Sequence, residues 1–165
     1  MHLPKWYPHR YDDQDGDFVG RHVAAIAAHG GVESAVLFAA VARGPLPGLI
    51  DAGEDFTGPV PTLRYYYRAA PTGLALLDKP LKLLLYYWCL RRGYRRLWQH
   101  WGGAPPDVVH VHVLLRTRLA AWALRAVPGS PLTISAHWTL SLPPPAAGMH
   151  AWCADTHHAV TMQEW

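Results

Sequence analysis

The stretch "DGDFVGRHVAAIAAHGGVESAVLFAAVA" (Asp15–Ala42) decides how the chain is expected to fold. Apolar residues recur at helical spacing between Phe18 and His29, which predicts an amphipathic helix. Its apolar stripe consists of Phe18, Val19, His22, Val23, Ile26 and Ala27. Gly30-Gly31 ends the helix, as glycines commonly do. Val32–Ala42 then forms an apolar run typical of a parallel strand that is covered on both faces.

Strands and helices are expected to alternate on both sides of this stretch. A strand stub at Met1–Leu3 precedes a loop at Pro4–Asp17, and further strands are expected at Thr62–Arg68, Pro106–Leu114, Ser130–Trp138 and the last residues, "HHAVTMQEW". Further helices are expected from Asp78 to about Trp101 and at Arg118–Val127, and Gly44–Pro61 is expected to be a loop. This order predicts one Rossmann-like, doubly wound α/β domain over residues 1–165, with a mostly parallel sheet and helices on both faces.

Composition narrows the class of protein. Half of the 165 residues are hydrophobic and 16% are charged, which excludes a disordered acidic or basic tail. The net charge of +3 and the pI near 9.0 weakly favour anionic partners, and no nucleic-acid partner is expected. Eight Trp and eight Tyr suit sugar contact, stacking or a membrane interface as well as an aromatic core.

The expected location is the cytoplasm, with contact to the inner face of a membrane left open. Cys89 and Cys153 show no CxxC pattern and are expected to be free thiols in a reducing compartment. No signal-peptide pattern is evident, and no stretch reaches the roughly 20 apolar residues of a transmembrane helix.

Three predicted strand ends deliver polar or aromatic groups to one edge of the sheet, where parallel sheets bind ligands. The first is the loop Asp15–Asp17, whose Gly16 would let the backbone approach a phosphate at the helix N-terminus. Asp17 as an N-cap gives an equally good structural explanation of this loop. The other strand ends are 112–118 and His137-Trp138, and His137 is the best candidate for a group that meets substrate near neutral pH.

His110 and His112 stand two residues apart on a predicted strand, so they share a face. This spacing occurs in metal sites, but no third ligand of the usual type lies nearby in the sequence. A metal site is therefore not expected. His110 is expected to be structural, and His112 is expected to lie closer to the ligand side.

The predicted helix over Pro80–Trp101 combines aromatic and basic residues. Asp78 is expected to cap it, with Pro80 in its first turn. Its apolar side, which contains Leu83, Tyr87, Leu90, Tyr94, Leu97, Trp98 and Trp101, is expected to pack on the sheet. The second explanation is contact with anionic lipid through Arg91, Arg92, Arg95 and Arg96.

Three segments taken together resemble a known enzyme family. They are "LPKWYPHRYDDQDGDFVGRHVAAIAAHG" (3–30), "PDVVHVHV" (106–113) and "PLTISAHWT" (131–139). Their order and spacing are similar to those of the N-terminal domain of family 4 retaining glycosyltransferases, which have the GT-B fold. The resemblance covers nearly the whole chain. It implies transfer of a sugar from a nucleotide-sugar donor to a glycan or a lipid-linked acceptor.

The resemblance also implies roles for individual residues. Gly16 would lie near the donor diphosphate, and His137 would be the active-site histidine between donor sugar and acceptor. Acceptor-binding positions would be Arg10, Tyr11, Arg21, His112, Arg116 and Trp138. Neither a metal ion nor another cofactor is expected, because this fold usually lacks the DxD metal motif.

Enzymes of this family carry a second domain with the donor nucleotide site and a Glu-x7-Glu motif. The 165 residues are therefore expected to be a fragment that transfers little or no sugar alone. Two alternatives stay open. One is a truncated, non-catalytic module that binds glycans or lipid headgroups, and the other is an unrelated Rossmann-like binder of a nucleotide or metabolite.

Overall fold

The computed structural model describes residues 1–112, 132–135 and 159–162. In these ranges the strands are β1 (His2–Pro4), β2 (Val36–Val41), β3 (Ile50–Asp55), β4 (Thr62–Tyr67), β5 (Val109–His112), β6 (Leu132–Ser135) and β7 (Ala159–Met162), and the helices are α1 (Asp17–His29) and α2 (Ala75–His100). The expected helix at Arg118–Val127 lies outside the described residues.

The described strands form one mixed sheet in the order β3-β4-β2-β1-β5-β6-β7. Every pair from β4 through β2, β1 and β5 to β6 is parallel, whereas β3 and β7 add antiparallel strands at the two ends. The expected α/β class with a mostly parallel sheet is therefore confirmed.

Alternate residues of the strands enter two separate cores, because successive side chains of a strand point to opposite faces. On β2, Leu37 and Ala39 belong to the larger core, which contains Leu90 and Leu97 of α2. Val36 and Phe38 belong to the smaller core, which contains Val19 and Val23 of α1.

The expected loop over Gly44–Pro61 is wrong in its middle, where β3 pairs with β4 from Ile50↔Tyr67 to Asp55↔Thr62. This strand is only partly buried, and in its sequence "IDAGED" Ile50 is the single β-branched residue and no residue is aromatic. Pairing with β4 supplies the stability that its own composition does not.

The expected start of α2 at Asp78 is also wrong, because the helix begins at Ala75. The buried carboxylate of Asp78 accepts hydrogen bonds from the backbone N and the Oγ1 of Thr72, at 2.9 and 2.7 Å. It thus holds the segment before the helix rather than capping the first turn, and Pro80 stands in the second turn. The expected stop is confirmed by Gly102 and Gly103, which both have positive φ angles.

Packing of α2 on the sheet is confirmed by the burial of Leu90, Tyr94 and Leu97, whereas Leu83, expected on the same side, is exposed. Cys89, on the same helix, is a buried free thiol. Burial raises the pKa of this thiol to about 12, so it stays protonated and unreactive near neutral pH. Cys153 lies outside the described residues.

Candidate functional site

A cleft of about 330 Å³ lies where three neighbouring parallel strands end. Lys5 follows β1 directly, Val41 is the last residue of β2, and Tyr67 is the last residue of β4. The complete described lining is Lys5, His9, Asp15, Phe38, Ala39, Ala40, Val41, Arg43, Tyr67 and Tyr86. The site therefore lies at the edge of the sheet where open α/β sheets bind their ligands.

His9 is an enclosed polar group of the cleft, with a side chain only 2% exposed. Its Nδ1 lies 2.9 Å from the carbonyl oxygen of Asp12, and the ring stacks on Tyr66 with centroids 6.2 Å apart. Because a carbonyl oxygen can only accept, Nδ1 carries the proton. In the neutral ring Nε2 is then the hydrogen-bond acceptor and base.

The cleft contains charged groups of both signs. Asp15 Oδ2 lies 3.9 Å from Nδ1 of His9, and Arg43 Nη1 lies 3.7 Å from Asp12 Oδ2. Burial raises the pKa of Asp15 above its ordinary value of 3.8, against the lowering effect of His9. Lys5 adds a cation, whose Nζ lies 4.5 Å from the centroid of the Trp6 ring.

Gly16 lies beside the cleft as the N-cap of α1, with a left-handed backbone at φ 67° and ψ 28°. A Cβ at this position would collide with the backbone carbonyl of Trp6. Packing of the loop against the segment after β1 is thus sufficient to require glycine here. Asp17, expected as the N-cap, is instead in the first helical turn.

Arg10 and Tyr11 are held together by contacts with the sheet. The Arg10 guanidinium pairs with the carboxylate of Asp51, donates to the Tyr11 hydroxyl at 2.9 Å and lies 3.9 Å from the Tyr66 ring centroid. Tyr11 also meets Tyr66 edge-on, at 5.3 Å. The described lining of the cleft includes neither residue.

Arg21 extends into solvent from α1. Its side chain is 77% exposed and pairs with Asp17, one turn earlier, at 2.8 Å. Three of the expected site residues, Arg116, His137 and Trp138, lie outside the described part of the chain.

His112 belongs to a cluster of histidines on β1 and β5. The parallel register aligns His2 with His110 and Pro4 with His112. His112 is 1% exposed whereas His110 is half-buried, so their burial is the reverse of the expected order. Within this cluster, His2 is the ligand-type residue that sequence reasoning missed, because the pairing of β1 with β5 is not visible in the sequence.

The histidine rings are close to one another. Nδ1 of His2 lies 3.3 Å from Nε2 of His112, and the rings of His110 and His112 are 4.1 Å apart at their centroids. The ring of His22 on α1 meets both of these β5 rings edge-on, at 5.9 Å. The pKa of His2 is lowered to about 3, mainly by burial and in addition by the chain's terminal amine, His110 and His22, so its imidazole is neutral near pH 7.

The first half of α2 presents apolar side chains to solvent. Leu76 is 90% exposed, Leu84 64% and Trp88 49%. Leu84 and Trp88 also line a groove of about 590 Å³ between α2 and β3, with Arg92 at its wall. Neither described helix has the length and apolar character required to cross a bilayer.

Comparison of the chain with protein-family models gives no match. Comparisons with curated protein sequences and with solved structures give no significant match either.

Proposed function

We propose that the chain is the acceptor-side domain of a nucleotide-sugar-dependent glycosyltransferase with a Rossmann-like, doubly wound fold. In this proposal the cleft at the ends of β1, β2 and β4 binds the saccharide acceptor. The observation that carries the proposal is the lining of this cleft, which combines aromatic rings with hydrogen-bonding groups of both charges.

This combination suits a sugar better than an ion. Sugar hydroxyl groups both donate and accept hydrogen bonds, so they can use Lys5 and Arg43 as donors and Asp15 as an acceptor. Phe38 and the Tyr67–Tyr86 pair, whose centroids are 6.1 Å apart, also line the cleft. These rings are buried, so they give the base of the cleft an apolar character rather than open faces for stacking. The volume of about 330 Å³ is at the small end of the roughly 300–1,000 Å³ of ligand pockets.

The catalytic assignments of the proposal rest on the resemblance. His137 is the proposed catalytic residue, and Gly16 is proposed to lie near the donor diphosphate. Donor binding is assigned to a second domain of the kind that this family carries. Sugar transfer is therefore expected to depend on such a domain, and His137→Ala is expected to abolish most of that transfer.

The surface of α2 favours a lipid-linked acceptor. Leu84 and Trp88 are one turn apart, and Arg92 lies one turn further with its guanidinium 5.4 Å from the Trp88 ring centroid. Exposed Arg91 and Arg95 continue the basic surface. Apolar side chains flanked by cations are typical of helices that bind an anionic bilayer, where each basic residue contributes about 1 kcal/mol.

Saccharide binding can be tested with the chain as it is, by saturation-transfer NMR against a panel of methyl glycosides. We expect a signal for at least one glycoside, and Arg43→Ala is expected to weaken it by roughly tenfold through loss of a charged hydrogen bond. Arg95→Ala, which changes an exposed arginine on α2, is the matched control. Equal binding by both variants would place the sugar outside this cleft. Binding without any transfer, when a donor domain is supplied, would instead support the non-catalytic module.

Membrane contact can be tested by co-sedimentation with vesicles. We expect binding to vesicles that contain phosphatidylglycerol and little binding to pure phosphatidylcholine. The double variant Leu84→Ser/Trp88→Ser is expected to lose this binding, whereas Val32→Ser, at another exposed apolar residue, should retain it. No difference between the two lipid compositions would overturn the lipid-linked acceptor and leave the saccharide site untouched.

A further inference from the structure

We propose that His2, His110 and His112 form a binding site for a divalent transition-metal ion, with Zn²⁺ as the best fit. Each residue offers one ring nitrogen, and these three nitrogens all lie within 4.8 Å of one another. The site bridges β1 and β5 on the face of the sheet that α1 covers.

Strand geometry produces this cluster. His110 and His112 are two residues apart on β5, so they point to the same face. His2 is aligned with His110 across the parallel pair β1–β5, which places its side chain on that face as well. Three imidazoles from two strands therefore converge without any special loop.

The spacing suits tetrahedral coordination. Two nitrogens bound to zinc at 2.0–2.1 Å in a tetrahedral arrangement are about 3.3 Å apart. Nδ1 of His2 and Nε2 of His112 already have this separation, 3.3 Å. The ring nitrogen of His110 lies within 4.8 Å of the other two. It therefore has to approach by at most about 1.5 Å, which rotation about its broad χ2 torsion can supply.

The surroundings suit a metal ion of borderline softness. Imidazole nitrogen is a preferred ligand of zinc, copper and nickel, whereas calcium and magnesium prefer oxygen ligands. His2 and His112 are 4% and 1% exposed, so the site is shielded from water on the sheet side. On the opposite side, facing α1, His22 is exposed, so a metal ion can reach the site from that side. His22 or a water molecule can then serve as the fourth ligand.

The bound ion would join the first described strand to one that lies about a hundred residues later. A metal ion that binds the folded chain but not the unfolded chain raises the free energy of unfolding by mass action. The site is independent of the proposed saccharide cleft, because none of its residues lines that cleft.

The test is a titration of the full chain, free of any affinity tag, with Co²⁺ and then with Zn²⁺. We expect one Co²⁺ per chain with the visible absorption bands of four-coordinate cobalt, and displacement of those bands by Zn²⁺. The half-buried His110 is the variant of choice, and His110→Ala is expected to weaken binding by roughly tenfold or more. His29→Ala, at the exposed end of α1, is the matched control and should bind as the unchanged chain does.

A second measurement keeps the proposal testable if a variant fails to fold. In the unchanged chain, imidazole ¹⁵N spectra should show that Zn²⁺ shifts the ring nitrogens of His2, His110 and His112 together. Absence of one-to-one binding, or shifts confined to other histidines, would overturn the site. Equal affinity of the His110→Ala and His29→Ala variants would overturn it as well.

Discussion

Gly16 connects the loop after β1 to the first turn of α1. Its φ of 67° is in the left-handed region, and Trp6 approaches the position where a Cβ would stand. Both conditions favour glycine over every other residue. The loop that places Asp15 in the cleft is thus held by a backbone contact.

Gly16→Ala is expected to destabilise the fold by about 2–4 kcal/mol, from a left-handed penalty of about 1–2 kcal/mol plus the displacement of Trp6. Gly102→Ala is the control, because Gly102 has a similar φ of 65° but nothing within 4 Å of the added Cβ. Urea unfolding of both variants measures the difference. An equal loss of unfolding free energy in both variants would show that the contact with Trp6 does not contribute to the requirement for glycine.

His9 shows at the same scale what a sequence cannot reveal about a site. Nothing in "WYPHRY" marks this histidine as different from the chain's other histidines. Its hydrogen bond to Asp12 is local, but its enclosure requires Phe38 and Tyr66, whose rings lie 5.4 and 6.2 Å away. Only the packed sheet brings those rings to it.

The two helices differ in the room that surrounds their glycines. Gly93 of α2 faces Leu37 and Tyr65, and a Cβ there would collide with the Leu37 side chain. Gly20 of α1 has more room, since its nearest neighbour would be Pro8 Cγ at 3.4 Å. The larger core therefore depends on a glycine in the helix above it.

Alanine at these two positions is expected to act in opposite directions. Gly20→Ala should stabilise the protein by up to about 1 kcal/mol, because alanine is the better helix former. Gly93→Ala should destabilise it by about 1–3 kcal/mol, because overpacking outweighs the gain in propensity. Thermal and urea unfolding check both signs, and a stabilised Gly93→Ala variant would mean that α2 can move away from β2.

Glu54 links β3, the last strand at one end of the described sheet, to the larger core. Its carboxylate accepts hydrogen bonds from the Tyr65 hydroxyl at 2.8 Å and from Arg96 Nε at 2.9 Å. Burial raises the pKa of this carboxyl, but the two hydrogen bonds outweigh it, so the pKa lies below its ordinary value of 4.5.

Glu54 is therefore expected to contribute stability above about pH 4.5. That contribution is lost as the pH falls through the lower pKa of the folded state, since the unfolded chain then binds the proton more readily. Glu54→Gln should lower the free energy of unfolding at pH 7. It should also reduce the loss of that free energy as the pH falls, as measured by urea unfolding at a series of pH values.

Across the whole molecule, stability is expected to concentrate in the middle of the described sheet. β2 lies between β4 and β1 and has fully buried residues from Val36 to Phe38. β3 ends the described sheet and is largely half-buried or exposed. Local opening is easiest where few apolar contacts are lost.

Hydrogen exchange should therefore be slowest for the amides of Leu37 and Phe38, close to the limit set by global unfolding. Exchange should be faster for those amides of β3 that point away from β4. Exchange measured by NMR in the native state checks this order. Similar protection in both strands would indicate that β3 has a further partner in the complete molecule.

The sequence by itself determined the elements whose pattern is local. Helical spacing over 18–29, apolar runs at β2 and β5, and glycines after both helices were sufficient to predict α1, α2 and most strands, and with them the α/β class. Only the tertiary structure decided that Ile50–Asp55 is a strand, that Asp78 binds Thr72, and that His2 meets His110 and His112. The periodicity of apolar residues indicates which face of a helix or strand is buried. It does not indicate which other strand, helix or side chain covers that face, because this depends on how the whole sheet packs.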